Sequence, residues 1–477
     1  MTIWQPDLAD NGRPKYRALA DMLAADIRAG RLAPGTRLPP QRDLAYRLGV
    51  TVGTVGRAYE IVTQAGLATG EVGRGTFVRA NDAVPRTGMA DARLGLTDPL
   101  RDRPGSTIVP MRSNLPADIG QEAEISATAR RVMERTTIGR LSAYVGTGGS
   151  GSDANRAAAA TWIARSGLNA DPDCVIVTAG AQTAIATAII TGSKPGDLIL
   201  AGELTYPSVS DLARILDRRV AGIAIDGDGL RPDAFARACR ERSPALLFDV
   251  PTLHNPTCSI MPADRRDQIV AIARENGVRI IEDDVYANIL EPNERPPAFA
   301  ALYPEGTFLV SGMSKSVAPG LRCGFLSSPA QSAARARATH YNLTLGSAPL
   351  MADIATDLIE AGTAAELIVR QRREIAARKR LAADLLADTD YRTAEGAPHI
   401  WLTLPDPWRS ATFAQAALGR EVTIGTAEEF MVDQRAAAVH KVRICLGTPR
   451  NADDAARGLA VIAELLANGP SDLEGTV

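Results

Sequence analysis

Apolar residues near the start of the chain are spaced for a helix. Tyr16, Leu19, Leu23 and Ile27 recur at intervals of three and four, which predicts an amphipathic helix over residues 14–29, ended by Gly30. Leu32-Ala33-Pro34-Gly35-Thr36 reads as a turn. Pro39-Pro40 predicts the start of a second helix, since proline at the first helical position sacrifices no hydrogen bond. That helix runs to about Leu48 and buries Leu44, Ala45 and Leu48. Gly49 makes a short turn, and Thr51 caps a third helix that continues to about Gln64. Leu67 to Val78 reads as a hairpin whose glycine-rich tip carries Arg74. Two helices about a tight glycine turn, followed by such a hairpin, make a winged helix-turn-helix.

The pattern then changes twice. From Ala80 to about Thr107 the chain is rich in Pro, Gly, Asp and Arg and loses sustained apolar periodicity, as a tether does. This divides the chain into a head over 12–80, a linker over 81–107 and a body over 108–470. From about residue 155, short apolar runs alternate with helical stretches. The runs begin at Val175, Leu198, Ala245, Val278 and Phe308, and the helices include Ala181–Ile190, Ser208–Leu216 and Asp264–Glu275. That alternation predicts a mostly parallel α/β sheet with ligands at the carboxyl ends of its strands. From about Asp388, short strands such as His399–Thr403 and a helix over Asp453–Leu466 form a smaller second lobe, residues 388–470.

Composition narrows the classes. A chain of 477 residues with 45% hydrophobic and 23% charged content suits a protein of two or three globular domains. No run approaches the roughly 18 apolar residues of a membrane helix. Met1 to Asp10 carries acids and a proline where a signal peptide would be basic and then apolar. Cys174, Cys239, Cys258, Cys323 and Cys445 are scattered without a C-x-x-C, and the four histidines are equally dispersed, so a reducing cytoplasm and no metal site are expected. The net charge of −2 hides an asymmetry: residues 1–80 hold 11 Lys/Arg against 7 Asp/Glu, and the remainder 42 against 48. A basic head on an acidic body suits contact with a polyanion.

Candidate chemistry clusters at the strand ends. Lys315 is one of only five lysines, the other 48 basic residues being arginines. It stands in Ser311-Gly312-Met313-Ser314-Lys315-Ser316, and Arg322 follows seven positions later. Small and hydroxyl residues beside a lysine, with an arginine beyond, suit a Schiff-base lysine next to a bound phosphate; an exposed loop lysine is the alternative. Thr178-Ala179-Gly180-Ala181-Gln182 opens a helix whose first N–H groups could hold an anion, or is plain strand–helix geometry. Tyr206 could stack on a flat ring, or simply sit on a loop. Asp283, in Glu282-Asp283-Asp284-Val285-Tyr286, could keep a pyridinium nitrogen protonated, while Tyr286 and Asn255 could bond a ring hydroxyl. Asp283 and Asp284 would make a metal pair only with further ligands, and the sequence offers none nearby.

Residues 16–78 resemble the winged helix-turn-helix of the GntR family of transcription regulators. The carrying residues include Ile27-Arg28-Ala29-Gly30-Arg31-Leu32, Pro34-Gly35-Thr36-Arg37-Leu38-Pro39, Arg42-Asp43-Leu44-Ala45, Leu48-Gly49-Val50 and Gly73-Arg74-Gly75-Thr76-Phe77-Val78. The resemblance implies binding to a double-stranded DNA operator. Where the family offers arginines on its recognition helix, this chain has Val52 and Gly56, with Gly53 between them. DNA contacts then rest on Arg42, Thr51, Thr54, Arg57 and Arg74. The glycines would let the helix backbone approach the major groove, and Val52 would meet a thymine methyl.

Residues 110–470 resemble the fold-type-I aminotransferases that use pyridoxal 5′-phosphate (PLP). The implied fold is an α/β transferase body, a mostly parallel sheet plus a small C-terminal α/β lobe that closes over the ligand, behind the N-terminal winged helix-turn-helix. The resemblance gives Lys315 the Schiff base with PLP, Asp283 the pyridine nitrogen, Tyr286 and Asn255 the ring hydroxyl, and Tyr206 the stacking face. It gives Ala181, Gln182, Ser311, Ser314 and Arg322 the phosphate. Tyr144 would reach the phosphate from a neighbouring subunit, and Arg443, in Val442-Arg443-Ile444-Cys445, would clamp a substrate carboxylate. Head and body together resemble the MocR/GabR group of bacterial regulators. That implies a cytoplasmic head-to-tail homodimer in which an amine or amino-acid effector forms an external aldimine with PLP and so changes operator binding. A working aminotransferase with an accessory head, and a regulator sensing PLP itself, are the rival readings.

Overall fold

Leu19, Leu23 and Ile27 lie buried along one side of helix α1 (Lys15–Arg28), with Tyr16 half-buried a turn earlier, as their spacing requires. The computed structural model describes residues 4, 15–28, 32, 36–64, 68–71, 75–78, 107–135, 149–433 and 440–469. The chain divides into two units, Met1–Ala92 and Arg93–Val477.

In the first unit, α2 (Gln41–Leu48) and α3 (Val52–Gln64) follow α1. Gly49 adopts φ +61 between α2 and α3, a left-handed conformation that favours glycine. The helix α2 begins one residue later than the proline pair suggests. Pro40 is its N-cap, at ψ 139, because the preceding segment runs extended against the wing. Leu38 N–H donates to Thr76 O and Val78 N–H to Thr36 O, both at 2.8 Å, and Tyr59 Oη donates to Pro39 O. Leu44 and Ala45 are buried, but Leu48 only partly. Strands β1 (Ala68–Glu71) and β2 (Gly75–Val78) pair antiparallel as the wing.

The second unit is built on a seven-stranded sheet. Its strands are β4 (Val175–Thr178), β5 (Leu198–Gly202), β6 (Arg219–Ile223), β9 (Leu246–Asp249), β10 (Arg279–Asp283), β11 (Thr307–Gly312) and β12 (Gly324–Ser327). They lie in the order β4-β12-β11-β10-β9-β5-β6. All neighbours are parallel except β12, which runs antiparallel to both β11 and β4. Strands covered on both faces must be apolar throughout, which is why they read as continuous runs. Alternate residues go to opposite faces. Ile176, Phe248, Ile281 and Val310 pack with Ile185 and Ile189 of the helix Ala181–Gly192, while Val177, Leu309 and Phe325 pack with Trp162.

Two short hairpin strands, β7 (Ile225–Asp226) and β8 (Gly229–Leu230), sit apart from this sheet. A second sheet has the order β13-β14-β16-β15-β3, from β3 (Val109–Met111), β13 (Tyr391–Arg392), β14 (His399–Thr403), β15 (Val422–Thr426) and β16 (Lys441–Cys445). The helix Ala452–Asn468 packs on it. The expected lobe of 388–470 therefore gains a strand from the opposite end of the body, since β3 pairs in parallel with β15. Among the described residues, no helix is long and apolar enough to cross a membrane.

Candidate functional site

The carboxyl ends of β10 and β11 open into a small pocket. It is lined by Ala181, Tyr206, Asn255, Asp283, Tyr286, Ser314 and Lys315, with Ile185, Val250, Val285 and Gly312 as its apolar and backbone wall. Asp283 is the last residue of β10, and Ser314 and Lys315 follow the end of β11, so two neighbouring parallel strands deliver the acid and the amine together.

Lys315 Nζ donates to the main-chain oxygen of Asn114 at 2.6 Å and lies 5.7 Å from the centre of the Tyr286 ring. Burial, helped by the positive charge of Arg443, brings its pKa down to about 8. Such an amine is neutral, and nucleophilic, far more often than a surface lysine. Asp283 is buried, and burial pushes its pKa up to about 7, although the Val285 N–H at 3.3 Å and the Lys315 charge oppose the shift. The Tyr286 hydroxyl is raised by burial, and so is that of half-buried Tyr206. Asn255 Oδ1 accepts from Arg443 Nη1 at 2.6 Å, and Arg443 Nη2 donates to Arg112 O at 2.5 Å. The Arg443 guanidinium stacks 4.6 Å from the Phe430 ring, and its Nε is buried without a hydrogen-bond partner.

One side of the pocket is a helix start. The helix Ala181–Gly192 begins after Gly180, which has φ +96 and leaves the helix start without a side-chain cap. Arg322, itself at φ +46, brings its Nη2 to within 3.4 Å of Ala179 O. A Cβ on Gly180 would stand 2.8 Å from that Nη2, so only glycine lets the guanidinium lie across the helix start. Close approach also explains Gly324 of β12, where a Cβ would meet Gly180 C at 2.5 Å and Ala181 N at 2.6 Å. Helix N–H groups and a neighbouring arginine are the elements from which anion sites are built. Ala181 and Ser314 line the pocket there, and Gln182 is half-buried one residue further on.

Ser311 departs from expectation. Its Oγ accepts from Trp162 Nε1 at 3.3 Å and Asn288 Nδ2 at 3.4 Å, on the opposite face of the sheet from the pocket. Strand alternation explains this: Val310 and Gly312 face the pocket side, so Ser311 cannot. Tyr144 and Arg74 lie outside the described residues. Asp284 is half of a buried ion pair, with Arg295 Nη2 donating to both its oxygens at 2.8 Å. Among the described residues, no cluster of three or more His, Cys, Asp or Glu could hold a metal.

Sequence reasoning missed Asn114 and His399, both buried beside the pocket. Asn114 Nδ2 is 3.2 Å from Tyr286 Oη and 3.0 Å from His399 Nδ1, while His399 Nε2 is 3.1 Å from Pro256 O. No local motif marks either residue. The one available signal was a polar histidine inside the apolar strand His399-Ile400-Trp401-Leu402.

In the head, Thr51 Oγ1 accepts from Thr54 N–H at 3.2 Å and lies 2.9 Å from Thr54 Oγ1, so both hydroxyls serve the cap of α3. Arg42 and Arg57 are exposed, and Val52 is 45% exposed at the start of α3. Gly53 faces open space, where a Cβ would meet only Thr51 Oγ1 at 3.9 Å. At Gly56 a Cβ would stand 3.3 Å from Gln41 Oε1, so this glycine serves the contact between α2 and α3.

The family profile "Aminotransferase class I and II" matches residues 107–459, and "Bacterial regulatory proteins, gntR family" matches 15–78. The uncharacterized HTH-type transcriptional regulator YdeF of Bacillus subtilis is 30% identical over 464 residues, covering 97% of this chain and 96% of that protein. The HTH-type pyridoxine biosynthesis transcriptional regulator PdxR of Corynebacterium glutamicum is 26% identical over 85% of this chain and 86% of its own length. The probable rhizopine catabolism regulatory protein MocR of Rhizobium meliloti is 26% identical over 77% and 76%. Among solved structures, LysN, the α-aminoadipate aminotransferase of Thermus thermophilus, complexed with N-(5′-phosphopyridoxyl)-L-leucine, is similar in fold. It has a TM-score of 0.68 and 22% identity over 76% of this chain and 92% of that one. The chain therefore belongs to the PLP-dependent aminotransferase class I and II family through its body and, with a DNA-binding GntR head joined to that body, to the MocR/GabR-type transcription regulators.

Proposed function

We propose that this regulator binds PLP through Lys315 and changes its operator binding when an amine or amino acid reacts in the same pocket. The observation that carries the reading is the pairing of a Lys315 amine, with its pKa brought down to about 8, and a buried Asp283 carboxyl at adjacent strand ends, in a chain that also has a DNA-binding head. The residues fit PLP. Gly180 leaves room for the Arg322 guanidinium across an uncapped helix start, which suits a phosphate, and Asp283 lines the same pocket as the lysine. When bound, PLP supplies a carbonyl for amines and a ring that withdraws electrons.

The chain's own residues would do the rest. Asp283, raised to about 7, is matched to share a proton with a ring nitrogen. Asn255 and Tyr286 would hold the ring hydroxyl, and Tyr206 would cover the ring face. Ala181, Gln182, Ser314 and Arg322 would hold the phosphate, which Tyr144 of the partner subunit in a head-to-tail dimer would also reach. Arg443 would take a carboxylate or other acidic group of the effector, and its buried Nε, without a partner, supports that role. Arg42, Thr51, Thr54, Arg57 and Arg74 would face DNA in a cytoplasmic homodimer on two half-sites or direct repeats.

The test is a spectral titration of the purified, PLP-loaded chain with a panel of amines and amino acids, run beside operator binding. A change in the visible band and in operator affinity, without keto-acid product, supports the reading. Turnover near 1–10³ s⁻¹ would instead make the body a working enzyme. Operator binding that responds to PLP alone would make it a PLP sensor. Lys315→Ala should abolish the band, and its survival would overturn the assignment.

A further inference from the structure

Beneath the pocket, three buried side chains have only one consistent way to share their protons. The carbonyl oxygen of Pro256 can only accept, so His399 Nε2, 3.1 Å away, must carry the ring proton. His399 is fully buried and its pKa is held well below the ordinary range, first by burial and then by the Arg443 charge, so the ring is neutral. Its Nδ1 is therefore a bare acceptor. The side-chain group of Asn114 lying 3.0 Å from that Nδ1 must be the amide NH₂. The same NH₂ lies 3.2 Å from Tyr286 Oη, so the tyrosine oxygen accepts there. The proton of Tyr286 is left to point elsewhere, and Tyr286 lines the pocket.

We propose that Asn114 and His399 are positioning residues that turn the Tyr286 hydroxyl into an obligatory donor toward the pocket, while the Asn114 main chain holds the Lys315 amine. The inference rests on the PLP reading above and specifies the direction of one hydrogen bond within it. It also joins the two sheets. His399 opens β14 of the second sheet, Asn114 follows β3 of the same sheet, and Tyr286 follows β10 of the large one. A hydroxyl donor aimed at the ring oxygen of PLP favours the deprotonated form of the chromophore, because hydrogen bonding to a charged oxygen stabilises it.

The experiment is a pH titration of the visible band of the PLP-loaded full chain. The charged and titratable groups facing Lys315, namely Arg443, Cys445, Asp283 and Arg322, stay unchanged in every variant. Asn114→Leu keeps the main-chain oxygen used by Lys315 but removes the NH₂ donor. It should raise the midpoint by about one pH unit, a tenfold change in proton affinity. His399→Leu should do the same. His399→Asn, which offers an oxygen where Nδ1 stood, should restore the wild-type midpoint, an outcome that loss of packing alone would not give. Tyr286→Phe should show the full shift, with nothing added by a second change at Asn114. Should one single variant fail to load PLP, the other and the double variant carry the test. A wild-type midpoint in Asn114→Leu or His399→Leu overturns the inference alone, as does His399→Asn shifted as far as His399→Leu. Absence of the band from the wild-type chain overturns the PLP reading with it.

Discussion

Gly180 shows how much one residue without a side chain can decide. At φ +96 and ψ 165 it occupies backbone space that other residues enter only under strain, and a Cβ there would crowd Arg322 Nη2 at 2.8 Å. Gly180→Ala should therefore cost about 1–3 kcal/mol of stability from the backbone alone. It should also push the guanidinium from the helix start and weaken PLP binding more than tenfold. Equilibrium binding by the visible band, beside thermal unfolding, separates the two effects, and unchanged affinity would show that Arg322 does not serve the phosphate. At this scale the sequence was most legible where chemistry is local. Lys315, Asp283, Tyr286, Tyr206 and Asn255 each sit in a short segment after a strand, and all five line one pocket. It was least legible across distance. Asn114 and His399 meet 285 positions apart, with nothing in either segment to announce the other. Ser311 failed for a finer reason: a shift of one residue along a strand reverses the face, and no motif records that.

Among elements, α3 has the sharpest internal tension. This helix of a DNA-binding head carries two glycines in its first turns, each costing roughly 1 kcal/mol relative to alanine. The structure separates their roles. Gly56 packs close to Gln41 of α2, whereas Gly53 faces open space. Gly53→Ala should therefore stabilise α3, seen as slower amide exchange across Val52–Gln64. If the bare backbone is there to approach DNA, the same change should weaken operator binding. A stabilised helix with undiminished operator affinity would remove that reason for Gly53. The three helices of the head, four helices of the body and five strands of the large sheet were readable because their apolar residues recur or run together. β6, β12, which begins at Gly324, and β3, three residues beyond the linker, were not. Each holds a residue that reads against a strand, Arg219 and Gly222 in β6, Gly324 in β12 and Pro110 in β3, and their pairing is decided by distant partners.

Across the whole chain, charge and composition already separated a basic head from an acidic body, and the two profiles fall on either side of that division, at 15–78 and 107–459. Joining a DNA site to a small-molecule site in one chain has a thermodynamic consequence that holds whatever path connects them. If an effector changes operator affinity by some factor, operator DNA must change effector affinity by the same factor. Couplings of this kind are typically about 1–3 kcal/mol, or roughly 5- to 150-fold. On the proposed reading the pocket would provide its own reporter, since an effector bound beside Lys315 and Asp283 would be read from the band of bound PLP. Titrating one amine into the PLP-loaded chain, with and without saturating operator, should move the half-saturation point by the factor measured independently from operator affinity, in the matching direction. The comparison needs binding equilibrium, because turnover would break the reciprocity. A ligand that shifts operator binding while DNA leaves its half-saturation point untouched cannot be acting through this pocket, and the effector site would then have to be sought elsewhere on the chain.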